Sequence, residues 1–115
     1  MMEWKEITTL DEWQGYLAQS KEQPLLVMKH STRCPVSADA WKECEAFIKG
    51  VPSKGVNYLL VKVIESREVS NQIAQDLHVQ HKSPQTILVK NGESIWNTSH
   101  WHITKDSLTE AVTPL

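Results

Sequence analysis

The chain has 115 residues, enough for one domain, 1–115, with a core that needs no staples. It is 40% hydrophobic and 23% charged, and its net charge of -2 comes without any basic cluster, which argues against a nucleic-acid surface. No apolar run nears the roughly 20 residues of a membrane span, and Met1-Met2-Glu3-Trp4-Lys5-Glu6 lacks the apolar segment of a signal peptide.

These features predict a cytoplasmic protein with no membrane contact. Thiols stay reduced there, so Cys34 and Cys44 are not expected to form a structural disulfide. The five tryptophans read as core and surface anchors rather than as a motif.

In chain order, Thr9-x-x-Glu12 matches a capping box, and Leu10, Trp13 and Leu17 follow helical spacing, which predicts a helix near 9–20. Leu25 to Lys29 reads as a strand, with Pro24 tolerable at its start. From Pro35 onward Trp41, Cys44, Phe47 and Ile48 form a helical stripe that Gly50 and Pro52 end. Val56 to Ile64 is a second strand, and Val69, Ile73, Ala74 and Leu77 mark a helix near 67–78. Thr86 to Lys90, Asn91-Gly92 and Glu93 to Asn97 form the strongest local signal, a β-hairpin with a type I′ turn. Thr104 caps a last helix carrying Leu108, Ala111 and Val112.

The order α-β-α-β-α-β-β-α joins the first two strands through a helix, making them parallel, and the last two through a hairpin, making them antiparallel. This is the thioredoxin topology: an α/β fold with a mixed four-stranded sheet and helices on both faces. It brings three segments to one sheet edge. They are the turn Ser31 to Ser37, the loop His81-Lys82-Ser83-Pro84-Gln85, and the loop Thr98-Ser99-His100-Trp101.

Cys34-Pro35-Val36-Ser37 lies in the first of these, between a strand and a helix. A cysteine there faces a helix N-terminus, where a thiolate is favoured over a thiol. Pro35 suits the first helical position because it has no N–H to lose. The N–H groups of Val36 and Ser37 are expected to face the sulfur, and Arg33 adds a cation. The place of a second, resolving cysteine is held by Ser37, whose hydroxyl is expected to hydrogen-bond the thiolate.

Cys44 shares a stripe with Trp41 and Ile48, ten residues and about 15 Å of helical rise from Cys34. That exceeds the ~7 Å Cα limit for a disulfide, so Cys44 reads as core. Pro84 stands where the topology places a cis proline opposite the cysteine, and Ser83 would offer its backbone to an extended client chain. Ser31, Ser83, Pro84, Gln85 and His100 are the candidate substrate-binding residues. His30, His81 and His100 are expected to approach Cys34. Their spacing matches no zinc signature and no metal is expected, although His81 or His100 could aid proton transfer. Lys29 reads either as a contact for ligand carboxylates or as a solvated charge.

Ser31-x-x-Cys34-Pro35-Val36-Ser37, Ser70-Asn71 with Ile73-Ala74, His81-x-Ser83-Pro84-Gln85 and Trp96-x-x-Ser99-His100 together resemble the monothiol bacilliredoxins, redox-active proteins of the bacillithiol system. The resemblance implies a thioredoxin-like fold, a nucleophile at Cys34 and removal of bacillithiol from mixed disulfides on S-thiolated client proteins. Bacillithiol would act as cosubstrate and no cofactor would be tightly bound. Thioredoxins carry a buried acid six residues before the nucleophile, and here that position is Met28. Two other functions stay open at this level. Cys-Pro-Val-Ser is similar to the Cys-Gly-Phe-Ser of cluster-carrying glutaredoxins, although Pro35 replaces the flexible glycine. A non-catalytic binding module would have the same fold and a thiol of ordinary reactivity.

Overall fold

The computed structural model describes residues 2–115; Met1, part of the segment read for a leader, lies outside them. Strand β1 (Lys5–Glu6) precedes helix α1 (Leu10–Gln19), and β2 (Leu25–His30) leads into α2 (Pro35–Lys49). Then come β3 (Asn57–Lys62), α3 (Arg67–Leu77), the hairpin β4 (Gln85–Lys90) and β5 (Glu93–Ser99), a 3-10 turn (His100–His102) and α4 (Lys105–Val112).

The sheet has five strands in the order β1-β3-β2-β4-β5, not four. The added strand is β1, which pairs in parallel with β3 through Lys5 and Leu59. Both of its residues are charged and exposed, so it has no hydrophobic alternation to announce it. What holds it is the strand beside it and the fully buried Ile7, whose N–H donates to Leu60 O at 2.9 Å.

Central β2 runs parallel to β3 and antiparallel to β4, and all six of its residues are buried. Successive side chains point to opposite faces. Leu26 and Met28 pack with Ala40, Cys44 and Phe47 of α2 and Leu108 of α4. Leu25 and Val27 pack with Trp13 of α1 and Val69, Ile73 and Leu77 of α3. The Trp13 indole N–H reaches across to Asp76 Oδ2 at 2.8 Å, tying α1 to α3. Trp4 sits against Trp41, Phe47 and Tyr58, and its indole donates to Cys44 O at 3.1 Å.

Local signals fixed the element ends. The Thr9 hydroxyl accepts from the Glu12 N–H, and Thr104 forms a reciprocal capping box with Ser107. Asn91 and Gly92 both take positive φ, 53° and 74°, as a type I′ turn requires. The tip of that hairpin is pinned to the end of α1. Ser20 Oγ accepts from Gly92 N–H at 2.8 Å, and Ser20 O accepts from Asn91 N–H at 2.9 Å.

Ser20 is fully buried. Ser20→Ala therefore strands the Gly92 N–H and is expected to cost about 1–2 kcal/mol of stability. A lower urea midpoint with unchanged slope is the expected result; an unchanged midpoint would mean that the pin carries no free energy.

Candidate functional site at the end of the central strand

The turn after β2 is built from backbone first. Cys34 N–H donates to Ser31 O at 3.2 Å, and Ala38 N–H donates to Cys34 O at 3.0 Å. Cys34 is the N-cap of α2, in extended conformation, and Pro35 opens the helix. The Cys34 side chain is half-buried and forms no capping hydrogen bond. Among the described residues, the Val36 and Ser37 N–H groups have no hydrogen-bond partner. The sulfur therefore sits at the positive end of a 15-residue helix with unspent donors behind it. Arg33 is exposed beside it.

Ser37 is used differently from the sequence expectation. Its side chain is fully buried. Its Oγ accepts from Ser31 N–H at 2.8 Å and lies 2.7 Å from His30 Nδ1. Among the described residues it makes no hydrogen bond to Cys34. The physical reason is local: the Ser31 N–H needs an acceptor once the chain leaves the sheet, and the Ser37 hydroxyl is the atom that meets it.

His30 stacks on Trp41, ring centres 5.6 Å apart and planes 20° apart. Burial pushes His30 toward the neutral form, helped by Lys62 and opposed by Glu65 and Glu45.

His30 and His81 do not converge. Lys29 and His30 are adjacent on β2 and so lie on opposite faces. Lys29 is fully buried on the α1/α3 face, and its Nζ lies 3.1 Å from His81 Nδ1. This overturns both readings of Lys29, since it neither meets ligand carboxylates nor sits in solvent. Desolvation lowers it from 10.5 to about 8, and His81 is likewise held below the ordinary range by burial and by the positive charge of Lys29 and Arg67. Among the described residues no three His, Cys, Asp or Glu side chains group as metal ligands.

The opposing loop carries a cis Ser83–Pro84 bond. Pro84 O accepts from His100 N–H at 3.1 Å, which locks the second and third loops together. His100 holds this contact from a left-handed backbone, φ 54°. Ser83 is half-buried, and its hydroxyl has no partner among the described residues. Gln85 points inward: it is 1% exposed, and its amide donates to Gln80 O at 3.1 Å, so it braces the loop from below. Ser31 contributes backbone to the Cys34 turn.

Sequence reading did not single out Trp101. It is 68% exposed and lines a groove of about 270 Å³ with Val36, Asp39, Lys42 and His100. A large aromatic in a polar loop at the same sheet edge as Cys34 was the available signal.

Cys44, by contrast, lies in the core, and burial pushes its thiol far up, with Glu43 and Glu45 adding to the effect. The chain therefore holds one half-buried cysteine at a helix N-terminus and one inert cysteine in the core.

A half-exposed cysteine at the N-cap of α2 and a cis proline just ahead of β4, on this sheet order, define a thioredoxin-fold thiol oxidoreductase. Solved structures agree on the fold. A candidate oxidoreductase with a thioredoxin fold is 30% identical, with 93% of this chain and 91% of that one covered and a TM-score of 0.80. Thioredoxin from Fasciola hepatica is 17% identical, with 96% and 97% covered and a TM-score of 0.73. Mitochondrial thioredoxin 3 from Saccharomyces cerevisiae, in its oxidised form, is 16% identical, with 97% and 95% covered and a TM-score of 0.73. Residues 5–108 match the family described as monothiol bacilliredoxin BrxC, and the chain belongs to that family.

Lys29 makes a testable statement about stability. Its folded form gives up its proton near pH 8, whereas the unfolded chain keeps it to about pH 10.4. Between those values the unfolded state binds more protons, so stability rises with pH. Relative to Lys29→Met, the wild type is expected to gain roughly 2–3 kcal/mol from pH 7.5 to pH 10 in urea titrations. A constant difference between the two proteins across that range would refute the desolvation of Lys29.

Proposed function

We propose that this protein removes a low-molecular-weight thiol, with bacillithiol the one its family points to, from mixed disulfides on client proteins, and that Cys34 is the nucleophile. The observation that carries this reading is the pairing of Cys34 with Ser37. Cys34 is accessible at a helix N-terminus, while the position able to resolve a disulfide holds a buried hydroxyl.

The steps follow from thiol–disulfide exchange. The Cys34 thiolate attacks the small-thiol sulfur of the client mixed disulfide. A new S–S bond joins Cys34 to the small thiol, the client S–S bond breaks, and the client leaves as a thiolate that takes a proton from water. Ser37 forms no S–S bond, and Cys44 lies in the core ten residues down the helix. A second molecule of the small thiol, as thiolate, then attacks its own kind on Cys34. The products are a symmetrical small-molecule disulfide and free Cys34, so electrons balance without any internal dithiol.

The other residues divide by position. Pro35 starts the helix without spending a donor, and Arg33 supplies positive charge for the incoming anionic thiol. Ser83 presents its backbone to the client chain, in the manner of strand addition, and Pro84 is held in place by the His100 N–H on its carbonyl. Cytoplasmic location, a reducing compartment, fits a thiol that must be returned to its reduced state.

The test is transfer between defined species. A model protein carrying bacillithiol, or glutathione in a parallel reaction, is mixed with this protein and followed by intact mass. The adduct is expected to move to Cys34 and to leave the client reduced. Cys34→Ser should abolish transfer, and Cys44→Ser should leave its rate within about twofold, because a core thiol takes no part in exchange. Transfer that persists in Cys34→Ser, or wild type that accepts neither thiol, would overturn the proposal.

A further inference from the structure

We propose that His30 is a positioning residue for Cys34, acting through Ser37: the neutral imidazole holds the Ser37 hydroxyl proton away from the Cys34 sulfur. The inference rests on Cys34 as the reactive thiol and adds what sets its reactivity.

The argument is an inventory of one hydroxyl. Ser37 Oγ sits 2.8 Å from Ser31 N and 2.7 Å from His30 Nδ1. A backbone N–H only donates, so Oγ accepts there. The hydroxyl has a single proton, and among the described residues the other polar atom within hydrogen-bond distance of Oγ is His30 Nδ1. Oγ has a second lone pair, so the 2.7 Å contact fits either direction; in the proposed arrangement the proton points at Nδ1, with the ring neutral and its hydrogen on Nε2, and the reverse tautomer is the outcome that the nitrogen spectrum below tests.

Stacking on Trp41 fixes the ring plane that makes this possible. The charged groups facing the ring are Lys62 at the end of β3, Glu65 in the turn after it and Glu45 on α2. Burial and Lys62 outweigh the two glutamates and keep the ring an acceptor.

The alternative partner for that proton is the thiolate at the N-cap of the same helix. Cys34 and Ser37 hold the N-cap and third positions of α2, the spacing that a Cys-x-x-Cys disulfide bridges, so both belong to one turn of the helix. Without the imidazole acceptor, the hydroxyl can rotate and donate to the thiolate. A thiolate with an added O–H donor is more stable and a weaker nucleophile. His30 thus keeps the sulfur less solvated by its own protein.

The experiment follows Cys34 alkylation by iodoacetamide across pH 5–10 on the full chain. It reads any titrating thiol, so it stands whether or not the small-thiol transfer proposed above is found. His30→Phe keeps an aromatic ring against Trp41 and removes the acceptor. It is expected to move the alkylation profile down by about 1–2 pH units, the effect of one hydrogen bond to an anion, and to lower the plateau rate about three- to tenfold. His30→Asn, whose amide oxygen can stand in for Nδ1, should restore the wild-type profile. In a Ser37→Ala background, His30→Phe should move the profile by less than about 0.2 unit.

No shift in His30→Phe, or the same shift with and without the Ser37 hydroxyl, would overturn the proposal. So would a nitrogen NMR spectrum of the wild type showing the hydrogen on His30 Nδ1 at neutral pH, a reading that needs no variant.

Discussion

One buried hydroxyl holds the site together. Where β2 ends, the backbone leaves the sheet and the Ser31 N–H loses its ladder partner. Ser37 Oγ replaces that partner from the first turn of the following helix, and the same oxygen contacts His30. The contact spans six residues and closes the strand-to-helix turn into a loop of fixed shape, with Cys34 at its apex. A half-satisfied polar group this deeply buried would cost on the order of 1–3 kcal/mol. The turn, the helix start and the sulfur position are therefore braced by one side chain in addition to the backbone bonds of Cys34.

The strand that carries this turn is also the most buried one. β2 has sheet neighbours on both sides and helices on both faces, so its last two residues, Lys29 and His30, enter the core from opposite sides. Each is matched by one partner. Lys29 meets His81 from the loop ahead of β4, and His30 meets Ser37 from α2. Polar contacts at the exit of a central strand have a geometric consequence. They tie the Cys34 turn, through His30, and the loop ahead of β4, through Lys29, to the same two residues of backbone. The His100 N–H on Pro84 O adds the third loop to that frame. The apolar core sets where the sheet lies, and these few polar contacts set where the three loops point.

Legibility in the sequence followed the range of the forces involved. The hairpin could be read from Asn91-Gly92 and its flanking strands, and the helix starts from Thr9 and Thr104, because turns and caps are decided within four or five residues. The Cys34 N-cap and Pro35 were legible for the same reason. Strand β1 was not, since two charged residues are held by β3 more than fifty positions away. The burial of Lys29 left a faint trace, because it falls in phase with Leu25 and Val27, the core side of β2. A lysine in that phase contradicts its own solvation, and only the loop carrying His81 resolves the contradiction. Gln85 was likewise assigned to the rim by its loop, whereas its place opposite Lys29 in the β2–β4 register puts it inside. Ser37 was placed at the right spot with the wrong partner, since its oxygen meets a histidine seven residues back.

That last error bears on why a serine stands where a resolving cysteine would. A thiol is a weak acceptor and a weak donor. At position 37 it would serve the Ser31 N–H poorly and would leave His30 without a strong partner. To form a disulfide with Cys34 it would also have to give up both contacts at once, because a sulfur bonded to its neighbour cannot keep facing the imidazole. A serine has neither conflict, and its oxygen remains in place whatever is attached to Cys34. In the proposed cycle, the step with the small thiol bound to Cys34 must wait for an external thiolate. A turn that does not rearrange during that wait keeps the mixed disulfide at the half-exposed N-cap position, where a second thiol can reach it. The same substitution thus removes internal resolution and supplies the rigidity that external resolution needs.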